Sequence, residues 1–412
     1  KVKKNYIFFA IKGNNIDGNK YIKHAIKNGS KIIISEKVKE KIENNVLYLN
    51  NKNPRKLLAE FSSKLNYQRP SNLVAVTGTN GKSSIANFYY QILKINKIKV
   101  SSIGTLGTEG IKIKKTISNT TYDPIMLNNI LKILKKKKIN NVILEASSHG
   151  LKQHRLDGLQ FNLGIFTNLS RDHLDYHKTY KDYFESKLIL FRKLMKEKSN
   201  IIFDEDLIIA KKIKKIIKKN NFKPLSIGYA NSNLKIVDHK FIGSDQHVQF
   251  LYKNNIYKFS TNLIGKIQIK NLLMSILAAS KSNLNLKSIL NSIKKIKSVP
   301  GRFEKIGKLK NNSIVILDYA HTPDALEVCL NSLSNQFPLK KINLVFGCGG
   351  ERDKPKRKIM GRIANKYCNN IYLTDDNPRG ENPKKIRNQI KTNINKKKLI
   401  EIASREIAIN RA

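Results

Sequence analysis

The chain has 412 residues, with 79 Lys and Arg against 30 Asp and Glu, for a net charge of +49. At roughly 100 to 200 residues per domain, two to four domains are expected, each with its own core. No apolar run approaches the roughly 20 residues of a membrane span. The opening KVKKNYIFFAIKG is too short in apolar residues for a secretory signal, so no membrane partner and a cytoplasmic location are expected. Cys329, Cys348 and Cys368 have neither metal-pair spacing nor the density of a disulfide framework, and read as reduced thiols with no shared role. The lysines are scattered among Asn and Ile, as in LKKKKINN and KKIKKIIKKNN, with no nucleic-acid-binding motif beside them. They read as solvated surface, and nucleic acid is not an expected partner.

In chain order, residues 1–66 read as a small α/β unit: the strand YIFFAIKG, a turn NNIDGNKY, a helix over 22–28 and the strand KIIIS. LNYQRPSN is a linker. From Leu73 the pattern becomes strand, glycine loop and helix, with Ile85, Phe88, Tyr89, Ile92 and Leu93 on one helical face. VILEA (142–146) and LGIFTN (163–168) end in polar residues, as strands of a parallel sheet do when a site lies at their carboxyl ends. After LKSILNSIKKIK, Pro300 and Gly301 break the pattern. SIVILDYA, KINLVFGCGG and NNIYLTDD then alternate with the helical stretches DALEVCLNSL and RKIMGRIANKY, a third α/β domain over 299–412 that leaves 67–298 as the central one. The chain starts at Lys1 without Met and stops inside SREIAINRA, so both ends are expected to be cut.

The strongest local signal is TGTNGKSS, Thr77–Ser84. Its glycines let successive amides curl round a phosphate, Lys82 can reach the β and γ oxygens, and the Ser83 hydroxyl can ligate Mg²⁺. Glu145, at a strand end about 60 residues on, stands where such an enzyme needs an acidic metal ligand; its bland alternative is a solvent-facing strand terminus. His149 and His173 are either satisfied polar residues beside a turn or, for His173, a group on the same rim able to bind a second ion. In DYAHTPDALE, Thr322 or Asp324 can cap a helix. FGCGGERDK lacks dinucleotide-binding spacing, while Arg352 and Arg379 at strand ends can fork onto a carboxylate or form surface ion pairs.

Together these segments resemble the Mur ligase family of ATP-dependent amide-forming enzymes. GTNGKSS resembles its P-loop, LEASSHGLKQHR and FTNLSRDHLDYH its central motifs, and VPGRFE, DYAHTPDALE, FGCGGERDK and DNPR its C-terminal ones. The resemblance implies an α/β fold of three domains: a small N-terminal α/β domain on the UDP end of the substrate, a central P-loop ATPase-like parallel-sheet domain, and a C-terminal Rossmann-like domain that brings the amino acid. It implies Gly78, Thr79, Asn80, Gly81, Lys82, Ser83, Ser84, Asn271, Arg302, Asp318 and Tyr319 as ATP contacts. Asn14, Asn15, Ile16, Asn119, Thr120, Thr121, Ser147, Gln153 and Arg155 would hold UDP-N-acetylmuramoyl-L-alanyl-D-glutamate. Arg352, Asp376, Asn377, Pro378 and Arg379 would hold meso-2,6-diaminopimelate, the DNPR form being that of the diaminopimelate-adding branch.

Lys187, in YFESKLILF, matches a lysine carbamylated by CO₂, and with Ser83, Glu145 and His173 it would serve Mg²⁺. The implied chemistry phosphorylates the D-glutamyl carboxylate, and the diaminopimelate amine then attacks the acyl phosphate, with Lys82, Glu145, His173 and Lys187 catalytic. A monomer acting in peptidoglycan precursor synthesis, and so in cell shape and division, is expected. The chain departs from the family at GKIQIKN, where Ile267 and Gln268 replace Phe and Asn, and it lacks the uracil-side serine segment before Lys1 and the Gly-His-Glu segment after Ala412. The rivals are a same-fold ligase that takes L-lysine or another amino acid, and a basic P-loop ATPase that depends on nucleic acid.

Overall fold

The computed structural model describes residues 2–13, 16–113, 119–351 and 353–412, so Asn14, Asn15 and Arg352 lie outside the described residues. The N-terminal unit is a four-stranded sheet of Ile7–Phe9, Ile32–Ser35, Val46–Asn50 and Lys41–Glu43, in that spatial order. Its first three strands are parallel and the last is antiparallel. Helix Ile22–Lys27 covers it through Ala25 against Ile33 and Val46. Helix Pro54–Leu65 starts where Asn53 accepts from Lys56 N–H and proline takes the first helical position. It carries the unit onto the next one: Ser62 Oγ donates to the Pro124 carbonyl at 3.1 Å and Ser63 Oγ to that of Gly158 at 2.7 Å.

The central sheet has ten strands, ordered 255–261, 245–252, 234–242, 223–228, 195–204, 161–166, 72–77, 141–145, 100–104 and 107–109. The run from 234–242 to 100–104 is parallel, as expected, but both edges are antiparallel, so the sheet is mixed. Strands between Met195 and Thr261 that sequence reading left unassigned supply one whole flank. Alternation along Asn72–Thr77 sends Val74 and Val76 to one face, under helices Lys82–Ile95 and Lys266–Ser280. Leu73 and Ala75 face the other, under Pro124–Lys136, Tyr180–Lys193 and Ala210–Lys219. With both faces covered, these strands read as continuous apolar runs.

In the C-terminal unit, Asn343–Phe346, Asn370–Leu373 and Leu399–Glu401 form a parallel sheet flanked by helices Pro323–Gln336, Lys356–Tyr367, Pro383–Lys391 and Arg405–Arg411. Ile314–Leu317, the strand within SIVILDYA, stands apart from it and pairs antiparallel with Glu304–Lys308. The three cysteines are buried and unbridged, and burial pushes the thiols up, Cys348 to about 11 and Cys368 to about 12.

Gln336 joins this unit to the central one. Its buried amide accepts from Gly265 N–H at 2.8 Å and donates to the Ser244 carbonyl at 3.0 Å, beside the apolar cluster of Ile264, Phe303 and Cys329. Gln336→Ala leaves the buried Gly265 N–H unpaired and is expected to destabilise by about 1–3 kcal/mol. A lower urea midpoint at unchanged slope would show this; an unmoved midpoint would mean the junction does not rely on the amide.

Candidate functional site

Strand 72–77 has 141–145 on one side and 161–166 on the other, so the crevice where connections diverge opens at its carboxyl end. Loop 77–81 fills that crevice. Gly78 and Gly81 have φ of +146° and +87°, and added β-carbons would lie 1.8 Å from Thr167 Oγ1 and 2.6 Å from Asn271 Oδ1. Neither position accepts a side chain. The loop is pinned by Thr79 N–H to the Asn168 carbonyl (3.0 Å), Asn80 N–H to Asn168 Oδ1 (2.9 Å) and Thr167 Oγ1 to the Asn80 carbonyl (2.6 Å). Gly81 caps helix Lys82–Ile95 in a left-handed conformation with no side-chain cap, so the first turn presents orphan amides at the positive end of the helix. Lys82 Nζ folds onto the carbonyls of Gly78 (3.0 Å) and Thr79 (2.8 Å). Burial lowers its pKa, opposed by Glu145.

Glu145 is 3% exposed and fully engaged. It accepts from Ser83 Oγ at 3.0 Å, Thr105 N–H at 2.9 Å and Thr105 Oγ1 at 3.1 Å. The solvent-facing alternative is therefore wrong. Gly104 and Thr105, which sequence reading did not select, make this possible: a β-carbon on Gly104 would sit 2.2 Å from Glu145 Oε1. Among the described residues no three His, Cys, Asp or Glu side chains converge on a metal position. A hydroxyl and one carboxylate side by side suit Mg²⁺, which keeps waters and phosphate oxygens in its shell.

A second network grows from the same residue. Thr121 Oγ1 donates to the Glu145 carbonyl (2.8 Å) and meets Ser147 Oγ (3.0 Å), while Thr120 Oγ1 meets Thr105 Oγ1 (3.0 Å). Arg155 reaches the Thr121 carbonyl (2.6 Å) and Gln153 Oε1 (2.7 Å). Thr120, Thr121, Ser147, Gln153 and Arg155 thus form one wall; Ile16 and Asn119 are exposed.

Opposite lie the histidines. His173 has φ +53°, with Nε2 3.3 Å from Asp172 and its ring edge-on to His149 at 4.8 Å. Burial holds His173 down to about 4 and lowers His149, so both imidazoles are neutral at neutral pH. Lys187 is 1% exposed; its Nζ donates to the Gly78 carbonyl at 2.7 Å and lies 4.2 Å from the centre of the Tyr183 ring. Burial, then the charge of Lys82, drives its pKa well below that of an ordinary lysine. The Tyr183 hydroxyl in turn donates to Thr79 Oγ1 at 3.1 Å.

On the far side of the loop, Asn271 Nδ2 donates to Gln268 Oε1 (3.0 Å) and Gln268 Nε2 to the Arg302 carbonyl (3.4 Å). The Arg302 guanidinium lies 4.4 Å from the Tyr319 ring centre. Asp318 is spent on the amides of Phe303 (2.8 Å) and Ala320 (2.9 Å), so it shapes this corner through the backbone. Thr322, not Asp324, caps the following helix, leaving Asp324 to meet Asn80 Nδ2 at 3.5 Å. Arg171 of the central unit pairs with Asp353 of the C-terminal one at 3.3 Å.

In the C-terminal unit the two glycine-bearing loops interlock. Gly350 N–H donates to the Asn377 carbonyl at 3.1 Å, a β-carbon there would meet the Pro378 carbonyl at 1.8 Å, and Arg379, at φ +50°, turns back onto the Gly350 carbonyl. Asp376 faces Arg405 at 3.7 Å. The clamp is Arg357, a residue the helical pattern hid: its buried guanidinium forks onto Glu381 at 2.9 and 3.0 Å and reaches Gln389 at 2.7 Å. Those Arg357 bonds hold the Glu381 carboxyl down at about 2. Against an ordinary value of 4.5, that contribution to stability is whole above pH 4.5 and is lost as pH falls through the folded value. Glu381→Gln should therefore lower the urea midpoint at pH 7, with the gap from wild type narrowing at pH 3; a gap that holds constant would contradict the assignment.

Residues 1–65 match the Mur ligase family catalytic domain, 76–279 the Mur ligase middle domain and 301–412 the Mur ligase glutamate ligase domain. The chain is 38% identical over 413 residues to the UDP-N-acetylmuramoyl-L-alanyl-D-glutamate–2,6-diaminopimelate ligase of Rickettsia montanensis, covering 99% of this chain and 85% of the relative. It is 39% identical over 429 residues to the ligase of the same name from Wigglesworthia glossinidia brevipalpis, covering 99% and 84%. A solved structure of that name superposes with TM-score 0.73 at 29% identity, covering 100% of this chain and 84% of the other. The ADP complex of Mycobacterium tuberculosis folylpolyglutamate synthase, at 13% identity, shares the fold with TM-score 0.69 over 87% of each chain. With the glycine loop, Glu145 and the clamped C-terminal loops standing in one structure, and with matches running through all three units, the chain belongs to the Mur ligase family.

Proposed function

We propose that the protein is an ATP-dependent ligase that joins meso-2,6-diaminopimelate to UDP-N-acetylmuramoyl-L-alanyl-D-glutamate in the synthesis of peptidoglycan precursors. The observation that carries this is the sharing of Glu145: its side chain holds the phosphate-loop serine, and its carbonyl holds Thr121 of the opposite wall. A nucleotide phosphate and an acidic substrate bound to those two walls meet across one residue. The names of the relatives, whose matches cover 99% of this chain, support the substrate pair.

In this reading residues 1–66 hold the uridine end, with Asn14, Asn15 and Ile16 along the nucleotide sugar, and 67–298 bind ATP, while 299–412 bring the amino acid. The orphan amides of the first helical turn and Lys82 hold the β- and γ-phosphates, with Asn271, Arg302 and Tyr319 on the nucleoside side. Asn119, Thr120, Thr121, Ser147, Gln153 and Arg155 orient the muramoyl dipeptide. Its D-glutamyl carboxylate attacks the γ-phosphorus and ADP leaves. The amine of diaminopimelate then attacks the acyl carbon, loses a proton and expels phosphate. Arg379 forks onto the distal carboxylate, which lysine lacks; Arg352, Asp376, Asn377 and Pro378 complete that pocket.

Ser83, Glu145, His173 and Lys187 would hold Mg²⁺, which when bound neutralises charge on the transferring phosphoryl group. Lys187 suits carbamylation, because a desolvated amine keeps the lone pair that bonds to the carbon of CO₂ while one N–H proton leaves to solvent. In this reading the protein is a monomer that works on dissolved precursors in the cytoplasm; among the described residues no helix is long and apolar enough to cross a membrane.

Phosphate release from ATP and the UDP-muramoyl dipeptide, measured with each amino acid, tests the assignment. Diaminopimelate should support release and L-lysine should not; equal turnover would overturn the acceptor, and stimulation by polynucleotide in place of the dipeptide would overturn the reaction class. Arg379→Ala should raise the KM for diaminopimelate at least tenfold with little change for ATP, since it strips a charge-assisted pair. Lys187→Ala should lose activity that added formate or acetate partly restores; full activity without rescue would remove the carbamate.

A further inference from the structure

His177 is wholly buried and uses both ring nitrogens. Nε2 is 3.0 Å from Ser148 Oγ, and Nδ1 is 3.3 Å from Ser186 Oγ and 3.7 Å from Asp182 Oδ2. Ser186 fixes which nitrogen carries the proton. Its hydroxyl already donates to the Asp182 carbonyl, one turn back, at 2.7 Å, so toward His177 it can only accept. The proton is therefore on Nδ1, which Asp182 also favours, and Nε2 accepts from Ser148. Tyr176, Tyr183 and His149 surround the ring at centroid distances of 4.8, 5.2 and 5.3 Å and keep it from turning over.

The two serines sit beside residues of the opposing walls. Ser148 opens the helix that Ser147 caps, and Ser147 meets Thr121 of the acid-substrate wall. Ser186 precedes Lys187, on the helix whose Tyr183 reaches the phosphate loop. Asp182 is held from the first helix too, by Lys152. That surface ion pair joins the same two helices, and His177, bonded to Ser148 of one and Ser186 of the other, adds a buried polar link beside their apolar contact through Leu151 and Leu188. A satisfied core histidine would show the same burial and paired nitrogens; the placement of its partners beside Ser147 and Lys187 argues for more.

We propose that His177, held as its Nδ1–H tautomer, is a positioning residue that sets the muramoyl-dipeptide wall and Lys187 in register across the active site. This rests on the ligase reading above. It makes a split prediction, because asparagine places its amide near Nδ1 and glutamine near Nε2. His177→Phe, which keeps a flat aromatic ring, somewhat larger, and loses both bonds, should lower kcat about tenfold or more and raise the dipeptide KM severalfold, while the KM for ATP stays within about twofold. His177→Asn should recover kcat more than dipeptide KM, and His177→Gln the reverse.

In wild-type protein labelled with ¹⁵N-histidine, the His177 resonance should show its proton on Nδ1. The proposal is overturned by a proton on Nε2, by unchanged dipeptide KM and kcat in His177→Phe, or by an ATP KM that rises in parallel, which marks general loosening. If His177→Phe does not fold, the Asn and Gln variants and the wild-type spectrum decide alone. Wild-type protein that fails to release phosphate with dipeptide and diaminopimelate would instead overturn the ligase reading, leaving the tautomer measurement standing.

Discussion

Everything in this candidate site depends on how closely the backbone at the end of strand 72–77 approaches the side chains of Thr167 and Asn271. Gly78 lies so near Thr167, and Gly81 so near Asn271, that the loop touches the next strand on one side and a helix almost 190 residues later on the other. That contact leaves the amides of the first helical turn pointing into the crevice, with no side chain to cap them. An anion is the natural complement of such a turn. Glu145 and Lys187 are then arranged around the loop, one through Ser83 and the other through the Gly78 carbonyl.

The second theme is that a strongly basic chain places two lysines, Lys187 buried and Lys82 half-buried, at its candidate site. Lys82 and Lys187 each bond a carbonyl of the loop, and burial lowers both. For Lys187 the charge of Lys82 adds to the effect, so one ammonium makes the other amine easier to keep neutral. The surface lysines do nothing comparable. Lys211, Lys212, Lys214, Lys215, Lys218 and Lys219 line the exposed side of one amphipathic helix whose Ile213 and Ile217 are buried, as the Lys-Ile pattern of the sequence suggested.

Much of this was legible in the sequence because the chemistry there is local. TGTNGKSS follows a strand buried on both faces and opens a helix with one apolar face, and each feature leaves its mark within twenty residues. Glu145 was legible by its place at a strand end, although only the structure shows it bonded rather than solvated. What was hidden depends on distance along the chain. Gly104 makes room for a carboxylate 41 residues away, and Arg357 meets Glu381 24 residues on. The strands from Met195 to Thr261 escaped because their polar and charged positions dilute the apolar signal. Met195–Asp204 carries a register shift, and Gln246 is a buried strand residue satisfied by the Leu263 carbonyl. His177 was hidden because its partners, Ser148 and Ser186, lie 29 residues before it and nine after it.

Calorimetric titration of ADP with Mg²⁺ into the purified protein and into Gly78→Ala tests the central claim most directly. The account predicts binding by the wild type that weakens when Mg²⁺ is removed and is abolished by the added methyl group, with the far-ultraviolet spectrum of the variant unchanged. Nucleotide binding that is indifferent to Gly78, or none by the folded wild-type protein, would contradict it.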